Sequence, residues 1–322
     1  MKAKAIHFLT ALALGFSLCM AWSEISFAKD KELTPEEIVA AHLKSIGTPD
    51  LLAKLKNRGM KGTTSVEFVQ GGVGNLTGQC MVAAEGRNLS IILKYAGRDY
   101  PGEYFAFDGT DVEVSNITPG QRSPLGDLIY RYKGMMKEGL LGGVWSLGWP
   151  LLDIKKRNAS LKYSSAKVDG RDLHEIEYTP KGGLNNIKVK LYFEPETFRH
   201  VRTEYMLQVR GEQALQAGQT VTQGVIPGSA STQRDGTSTR DAGILDHVAN
   251  SYYKLVEKFD NFKEVKIKDS TGGETGSLTL PYTYTIEYSV EGQGSTFLAH
   301  WNIIADQFAH NGNLNPAVFK AH

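Results

Sequence analysis

The chain has 322 residues, of which 41% are apolar and 22% are charged. These proportions are close to those of ordinary globular proteins, so they exclude a wholly disordered chain and allow one or two domains with a real core. Lys and Arg number 36 against 35 Asp and Glu, and this balance provides no field of one sign to attract a nucleic acid. The 34 Gly, 14 Tyr and 13 Phe favour strands and turns over a helical bundle.

The N-terminus has the pattern of a secretory signal peptide. Lys2 and Lys4 form a basic start, residues 6–21 are almost all apolar, and Ser26-Phe27-Ala28 provides small residues at the positions that a signal peptidase reads. A membrane anchor is the alternative, but the apolar run is shorter than the ~20 residues of a membrane-spanning helix. We therefore expect residues 1–28 to be a signal peptide that is cleaved near Ala28, and the mature protein to be exported.

Two short amphipathic helices are predicted at the start of the mature chain. Thr34-Pro35-Glu36-Glu37 combines an N-cap, a proline in the first turn and a glutamate three residues after the cap. The apolar residues that follow fall on one face, and Gly47 ends the helix. Thr48-Pro49 begins a second helix with leucines on one side, which is predicted to end at Gly59.

From residue 61 onwards, the apolar residues recur with a period of two. The clearest strand is 187–194, and a turn at Pro195-Glu196-Thr197 leads to a second alternating run over 201–207. Two further strands are predicted at 282–288 and 296–304. About ten or eleven strands without crossover helices predict a mainly β fold with one antiparallel sheet, large enough to curl.

Two segments break the strand pattern. Residues 123–153 are rich in Gly and large apolar side chains, and they predict a helix over Leu125–Leu141 that ends at Gly142-Gly143. Such a segment either plugs the core or lines a site for apolar matter. Residues 208–246 are mostly Gly, Ser, Thr and Gln, which predicts a flexible insertion between strands. We expect a single domain over residues 29–322, because the strands after the insertion are too few to form their own core.

The sequence contains no recognisable catalytic or metal-binding set. Gly72 to Gly78 looks like a dinucleotide loop, but its third glycine is one position late and it joins two strands. Ser146 lacks the glycine two positions earlier that a nucleophile elbow needs. The histidines are not paired at helical or strand spacing, so neither a metal nor another cofactor is predicted. An exported β protein rich in apolar residues, with no such set, suggests a container for an apolar ligand rather than an enzyme.

Three parts of the chain resemble the periplasmic lipoprotein carriers of the LolA and LolB type. They are the leading helix pair over 34–59 with the next strand carrying Gly62, the hairpin over 188–198, and Phe262-Lys263-Glu264-Val265 with the later strand that contains Tyr284. Together they cover most of residues 32–305. The resemblance implies an unclosed antiparallel β-barrel of about eleven strands whose concave face binds acyl chains, with covering helices as a lid. It places residues 125–152 at the lid or mouth.

The residues and the resemblance give two hypotheses of function. The first is a monomeric periplasmic carrier that holds lipid or the acyl chains of a lipoprotein in an apolar cavity and moves it towards the outer membrane. An envelope membrane protein is a further candidate partner. Alternation and size select eleven residues as candidate lining of the cavity, with an ordinary core position as the alternative for each: Phe68, Met81, Ile91, Leu93, Phe105, Phe107, Leu128, Tyr130, Trp145, Trp149 and Leu191. The second hypothesis is an envelope interaction or stress-sensor module that binds a protein partner and no small ligand, which a filled interior would favour.

Overall fold

The computed structural model describes residues 33–72, 74–184, 186–209, 251–268, 272–292 and 295–321. The predicted signal peptide over 1–28 and residues 210–246 of the predicted insertion lie outside these ranges, whereas residues 208–209 belong to a strand.

Twelve strands in the described ranges form one antiparallel sheet. They are β1 (Asn57–Gln70), β2 (Gly74–Glu85), β3 (Asn88–Tyr95), β4 (Gly102–Phe107), β5 (Val112–Val114), β6 (Ser160–Val168), β7 (Arg171–Thr179), β8 (Lys188–Phe193), β9 (His200–Val209), β10 (Ser251–Lys268), β11 (Glu274–Gly292) and β12 (Ser295–His310). Their order is β5-β4-β3-β2-β1-β12-β11-β10-β9-β8-β7-β6, so the sheet is not closed and β5 and β6 are its edges. The predicted fold class is confirmed, with one strand more than the eleven expected.

Short helices accompany the sheet. The α-helices in the described ranges are α1 (Pro35–Ile46), α2 (Pro49–Lys54), α3 (Pro124–Arg131), α4 (Gly134–Glu138) and α5 (Ile154–Arg157), with 3₁₀ turns at Gly143–Trp145, Pro150–Asp153 and Pro316–Phe319. The prediction for α1 is confirmed, since it ends before Gly47. The prediction that the second helix reaches Gly59 is wrong, because β1 already begins at Asn57, where it pairs with Glu85 of β2.

The connection between β5 and β6 lies over one face of the sheet because these strands are at opposite edges. We call residues 115–159 the covering segment and the face beneath it the inner face.

The single helix predicted over Leu125–Leu141 is wrong, since α3 and α4 are separated at Tyr132. Gly139 ends α4 with φ of 82°, and a Cβ there would lie 2.0 Å from the carbonyl oxygen of Gly148. The tight return of the chain therefore requires a glycine earlier than Gly142.

The inner face carries most of the large buried side chains. Val66 on β1 pairs with Trp301 on β12, which in turn pairs with Ile286 on β11. The helix α1 adds Ile38 and His42, both almost fully buried, to the side of the sheet that contains Phe193. Because alternate residues of every strand point to this face, the period of two in the sequence translates directly into a continuous core.

The seam between β1 and β12 lies in the middle of the sheet and joins the strands that come first and last along the chain. Gly62 lies at a shift in this pairing, and a Cβ at Gly62 would lie 2.0 Å from the backbone oxygen of Ile304. Gly59, three residues earlier on β1, has room, because the nearest atom to its Cβ position is a Leu314 methyl group 3.8 Å away. The observed pairing of β1 with β12 therefore requires a residue without a side chain at position 62.

We expect Gly62→Ala to lower the free energy of unfolding by about 1–3 kcal/mol, since the new methyl group forces the β12 backbone away. Gly59→Ala is the matched control on the same strand and should change the stability by much less. Urea unfolding followed by tryptophan fluorescence measures both. Equal stability of the two variants would contradict the assignment of this contact.

Candidate functional site

Nine of the eleven candidate lining residues are buried on the inner face or in the covering segment. Those on strands are Phe68, Ile91, Leu93, Phe105, Phe107 and Leu191, and those on the covering segment are Leu128, Trp145 and Trp149. Neighbours across the strands confirm that they share a face, since Ile91 pairs with Phe105 and Leu89 with Phe107. Their role in binding a ligand remains a prediction.

The structure places the other two candidates elsewhere. Met81 is 40% exposed, because it alternates with Cys80 and Val82, which are the buried residues of that stretch of β2. Tyr130 is also 40% exposed and lies on the outer side of α3. Its ring stacks beneath the guanidinium of Arg122, 3.6 Å from the ring centroid, and near the ammonium of Lys133. Both residues are therefore corrections to the predicted lining.

The covering segment fills the space in which a ligand was expected. Met135, Met136 and Leu140 are at most 1% exposed, as is Trp145. Trp145 packs edge-on against Tyr284 of β11, with ring centroids 5.2 Å apart. The interior in this state is a packed core in which the segment's own side chains take the position of an apolar ligand.

Irregular backbone in this core obtains its hydrogen bonds from the sheet. The backbone N–H of Gly142 donates to Oε1 of Glu257 on β10 at 2.7 Å, and Nη1 of Arg58 on β1 donates to the carbonyl oxygen of Val144. The indole N–H of Trp145 donates to the carbonyl oxygen of Pro281 at 2.9 Å. Buried backbone groups without partners are costly, so these contacts fix the position of residues 142–145.

Glu257 is a fully buried carboxylate among hydroxyl groups. Its Oε2 accepts from the Tyr205 hydroxyl at 2.7 Å, and its Oε1 accepts from the Tyr284 hydroxyl in addition to the Gly142 N–H. Burial disfavours the charged form and raises the pKa of Glu257 from 4.5 to about 7, although the hydrogen bonds act in the opposite direction. The contact between sheet and covering segment at Gly142 therefore depends on a group that titrates near neutral pH.

Two buried histidines contact the end of the covering segment. His42 has a carbonyl acceptor, Phe198 O, at 3.1 Å from Nδ1, and the Trp149 indole N–H donates to its Nε2 at 3.2 Å. These partners require the neutral ring with its proton on Nδ1. Burial lowers the pKa of His42 to about 4 and that of His200 well below its usual value. The ring centroids of Trp149 and His200 are 4.8 Å apart. Both neutral histidines therefore pack against the Trp149 side chain.

A small pocket opens between the helix pair and the covering segment, and we call it the Trp149 pocket. Its volume is about 100 Å³. Its lining residues are Ile46, Leu52, Leu55, Arg58, Gly86, Val144, Ser146, Leu147, Trp149 and Leu152. Arg58 is the one positively charged residue in this mainly apolar lining, and burial lowers its pKa to about 9. Its Nε donates to His310 Nε2 at 3.0 Å, and no carboxylate among the described residues forms an ion pair with it.

Sequence analysis missed Arg58, Glu257 and His200. For the first two a signal existed: Arg58 is in phase with the buried Met60 on β1, and Glu257 stands between the buried Leu255 and Phe259 on β10. A charged residue at an inward position of a strand is unusual and marks a structural or functional contact. No group of three or more His, Cys, Asp or Glu in the described ranges is placed to hold a metal ion.

Comparisons with known proteins find similar solved structures only. No family model matches the chain, and no curated protein matches it. A DUF1329 family protein from Desulfovibrio piger is 12% identical with a TM-score of 0.35, covering 88% of this chain and 95% of its own. A LolA superfamily protein from Nitrosomonas europaea is 12% identical with a TM-score of 0.35, covering 90% and 99%. The MucA/MucB complex structure of Pseudomonas aeruginosa contains a chain 11% identical with a TM-score of 0.20, covering 86% and 100%.

The LolA superfamily, which the sequence resembles, is thus represented among the structures to which the chain is similar. At these identities and TM-scores the likeness carries no argument about ligand, partner or activity. The functional assignment therefore depends on the geometry of the covering segment and its pocket.

The raised pKa of Glu257 makes a prediction about pH. The folded state binds more protons than the unfolded state between pH 4.5 and 7, so this group's contribution to stability is present below that window and is lost as the pH rises through it. We expect the unfolding free energy of the wild type to fall from pH 5 to 8, relative to Glu257→Gln, by up to about 3 kcal/mol. Chemical denaturation across this range measures the difference. Glu264→Gln, at an exposed position of β10, is the control, and parallel curves for wild type and Glu257→Gln would refute the prediction.

The Arg58 contact makes a second prediction. Arg58→Met removes the donor to Val144, so amide exchange in residues 142–149 should become about tenfold faster relative to β3. Hydrogen exchange with mass spectrometry measures this ratio. Lys61→Met, at an exposed position of β1, should leave the ratio unchanged. Unaltered exchange in Arg58→Met would show that the contact does not hold the segment.

Proposed function

We propose that the protein is an exported, periplasmic binding protein that carries lipid or the acyl chains of a lipoprotein towards the outer membrane. The observation that carries this proposal is the Trp149 pocket, an opening lined mainly by apolar residues at the junction of α2, β1 and the covering segment. A pocket walled by leucines offers a water-excluding entrance for a hydrocarbon chain. The sequence pattern of residues 1–28 supports export, and no helix in the described ranges is long and apolar enough to span a membrane.

A whole acyl chain needs more room than the pocket provides. About 100 Å³ corresponds to roughly three water molecules at liquid density, so the chain must displace part of the covering segment. The inner face keeps its apolar contacts in this exchange, because an acyl chain replaces methionine, leucine and tryptophan side chains. Each methylene group that enters contributes about 0.8 kcal/mol, whereas an individual neutral hydrogen bond contributes about 0.5–1.5 kcal/mol. A long chain can therefore offset the loss of the contacts at Gly142 and Val144.

We infer a binding protein rather than an enzyme. Four buried titratable groups of the described interior, His42, His200, Glu103 and Glu257, are each at most 2% exposed. Each forms at least one hydrogen bond within the protein, and burial keeps each from solvent, which favours a structural role over contact with a substrate.

The filled interior also supports a second candidate function. If the covering segment never leaves the inner face, the protein has no room for a lipid, and its role is to bind a protein partner of the envelope. The packed positions of Trp145 and Met136 are the observation that favours this alternative.

The test is uptake of the uncharged apolar probe N-phenyl-1-naphthylamine by the protein purified from a bacterial periplasm. We expect saturable fluorescence enhancement in the wild type. Leu52→Trp, which enlarges a half-buried side chain in the pocket wall, should weaken the affinity about tenfold, because it occupies the entrance. Leu43→Trp, at a half-buried position of α1 outside the pocket, is the matched control.

Native mass spectrometry of the same preparation, with lipid extraction in parallel, identifies any bound cargo. A bound lipid that is released on denaturation supports the proposal and names the cargo class. An empty protein that also fails to enhance the probe's fluorescence overturns it and leaves the protein-partner function.

A further inference from the structure

A second, larger depression borders the last turns of the covering segment, and we call it the basic groove. Its volume is about 450 Å³. It is lined by Arg87 of the β2–β3 turn, by Gly134, Lys137 and Glu138 of α4, by Asp153, Lys156 and Arg157, and by Pro180 to Leu184 of the turn after β7. Four separate stretches of the chain thus converge on one open site.

Cations dominate the lining of the basic groove. Five Lys and Arg side chains stand against two carboxylates, Glu138 and Asp153, which gives the lining a net charge of +3. Arg157 already binds both carboxylates: its Nε pairs with Asp153, and its Nη1 lies 3.5 Å from Oε1 of Glu138. The Tyr178 hydroxyl also donates to Glu138. The positive charge of the remaining side chains is therefore not neutralised from within the groove.

Two ammonium groups of the groove have no ion-pair partner in the described part of the chain. Lys156 and Lys181 are exposed at the rim and make none of the ion pairs found there. Lys137 reaches Asp111 only at 3.4 Å, and Arg87 donates to the carbonyl oxygen of Lys137. Exposed ammonium and guanidinium groups that face one depression can bind an oxyanion.

The basic groove adjoins the Trp149 pocket. Arg87 lines the groove and its neighbour Gly86 lines the pocket, while Asp153 and its neighbour Leu152 are divided in the same way. At two positions of the chain, a single peptide link therefore separates a residue of the cationic site from a residue of the apolar site. This juxtaposition matches an amphiphile that has an anionic group at the end of a hydrocarbon tail.

We propose that the basic groove binds the phosphate of an anionic lipid headgroup whose acyl chain enters the Trp149 pocket. The inference rests on the proposed function and adds the headgroup class to it. Phosphate offers several acceptor oxygens to Lys156, Lys181 and Arg87, and its charge compensates the excess of the groove. A lipid with a neutral headgroup gains nothing from these side chains.

The experiment compares two lipids with the same dodecanoyl chain, lysophosphatidylglycerol and uncharged monododecanoylglycerol, by titration calorimetry at low ionic strength. We expect the wild type to bind the phosphate lipid about tenfold more tightly, a preference that salt reduces. The double variant Lys156→Gln/Lys181→Gln should keep its affinity for monododecanoylglycerol and lose most of the preference. Lys162→Gln/Lys167→Gln removes the same charge from exposed positions of β6 and should retain it.

The outcomes separate this inference from the proposed function. Equal binding of both lipids by the wild type, or an undiminished preference in the groove variant, overturns the headgroup inference while the apolar site stands. Failure of both lipids to bind overturns both proposals. Glycerol 3-phosphate binding as tightly as the lipid would overturn the lipid assignment, because a free phosphate ester would then be sufficient.

Discussion

The strand order of the sheet dictates the rest of the molecule. Because β5 and β6 occupy opposite edges, the chain between them has to travel across the full width of the inner face. That path forces irregular backbone into an apolar environment, where its polar groups need partners. The sheet supplies them with two ionisable side chains at inward positions, Glu257 for the N–H of Gly142 and Arg58 for the carbonyl of Val144. The covering segment is therefore attached at a few directional points within an otherwise apolar contact.

This arrangement separates the surface that fills the core from the contacts that hold it in place. Apolar packing is non-directional, and a hydrocarbon ligand can reproduce it. The contacts at Gly142, Val144 and Trp149 are specific, and a ligand can break them only by providing more apolar contact than it removes. The neutral state of His42 and the raised pKa of Glu257 follow from the same burial. Their effects on the free energy of unfolding oppose each other. Acidification below pH 6.5 lowers it, because the folded state holds His42 neutral, whereas acidification below pH 7 raises it, because the buried Glu257 becomes protonated.

Sequence reasoning succeeded where the determining interactions are local. The capping pattern before α1 and the alternation of β8 and β9 predicted those elements, and the absence of crossover helices predicted an antiparallel sheet. It failed where tertiary contacts decide. Pairing with β2 draws Asn57 to Gly59 into β1 and shortens α2, and the tight approach of Gly139 to Gly148 interrupts the helix predicted over 125–141. Alternation and size suggested Met81 and Tyr130 as lining, but the burial of Cys80 and Val82 on β2 assigns Met81 to the other face.

The two free edges of the sheet differ in a way that bears on solubility. The edge strand β5 has only three residues, too few to template the addition of a foreign strand, while β6 has nine and carries Lys162 and Lys167 at exposed positions. Lysines along an edge strand oppose its pairing with the same edge of a second molecule, because this pairing would bring like charges together. The unclosed sheet thus carries, at its own two edges, features that oppose the edge-to-edge pairing which closure prevents in a complete barrel.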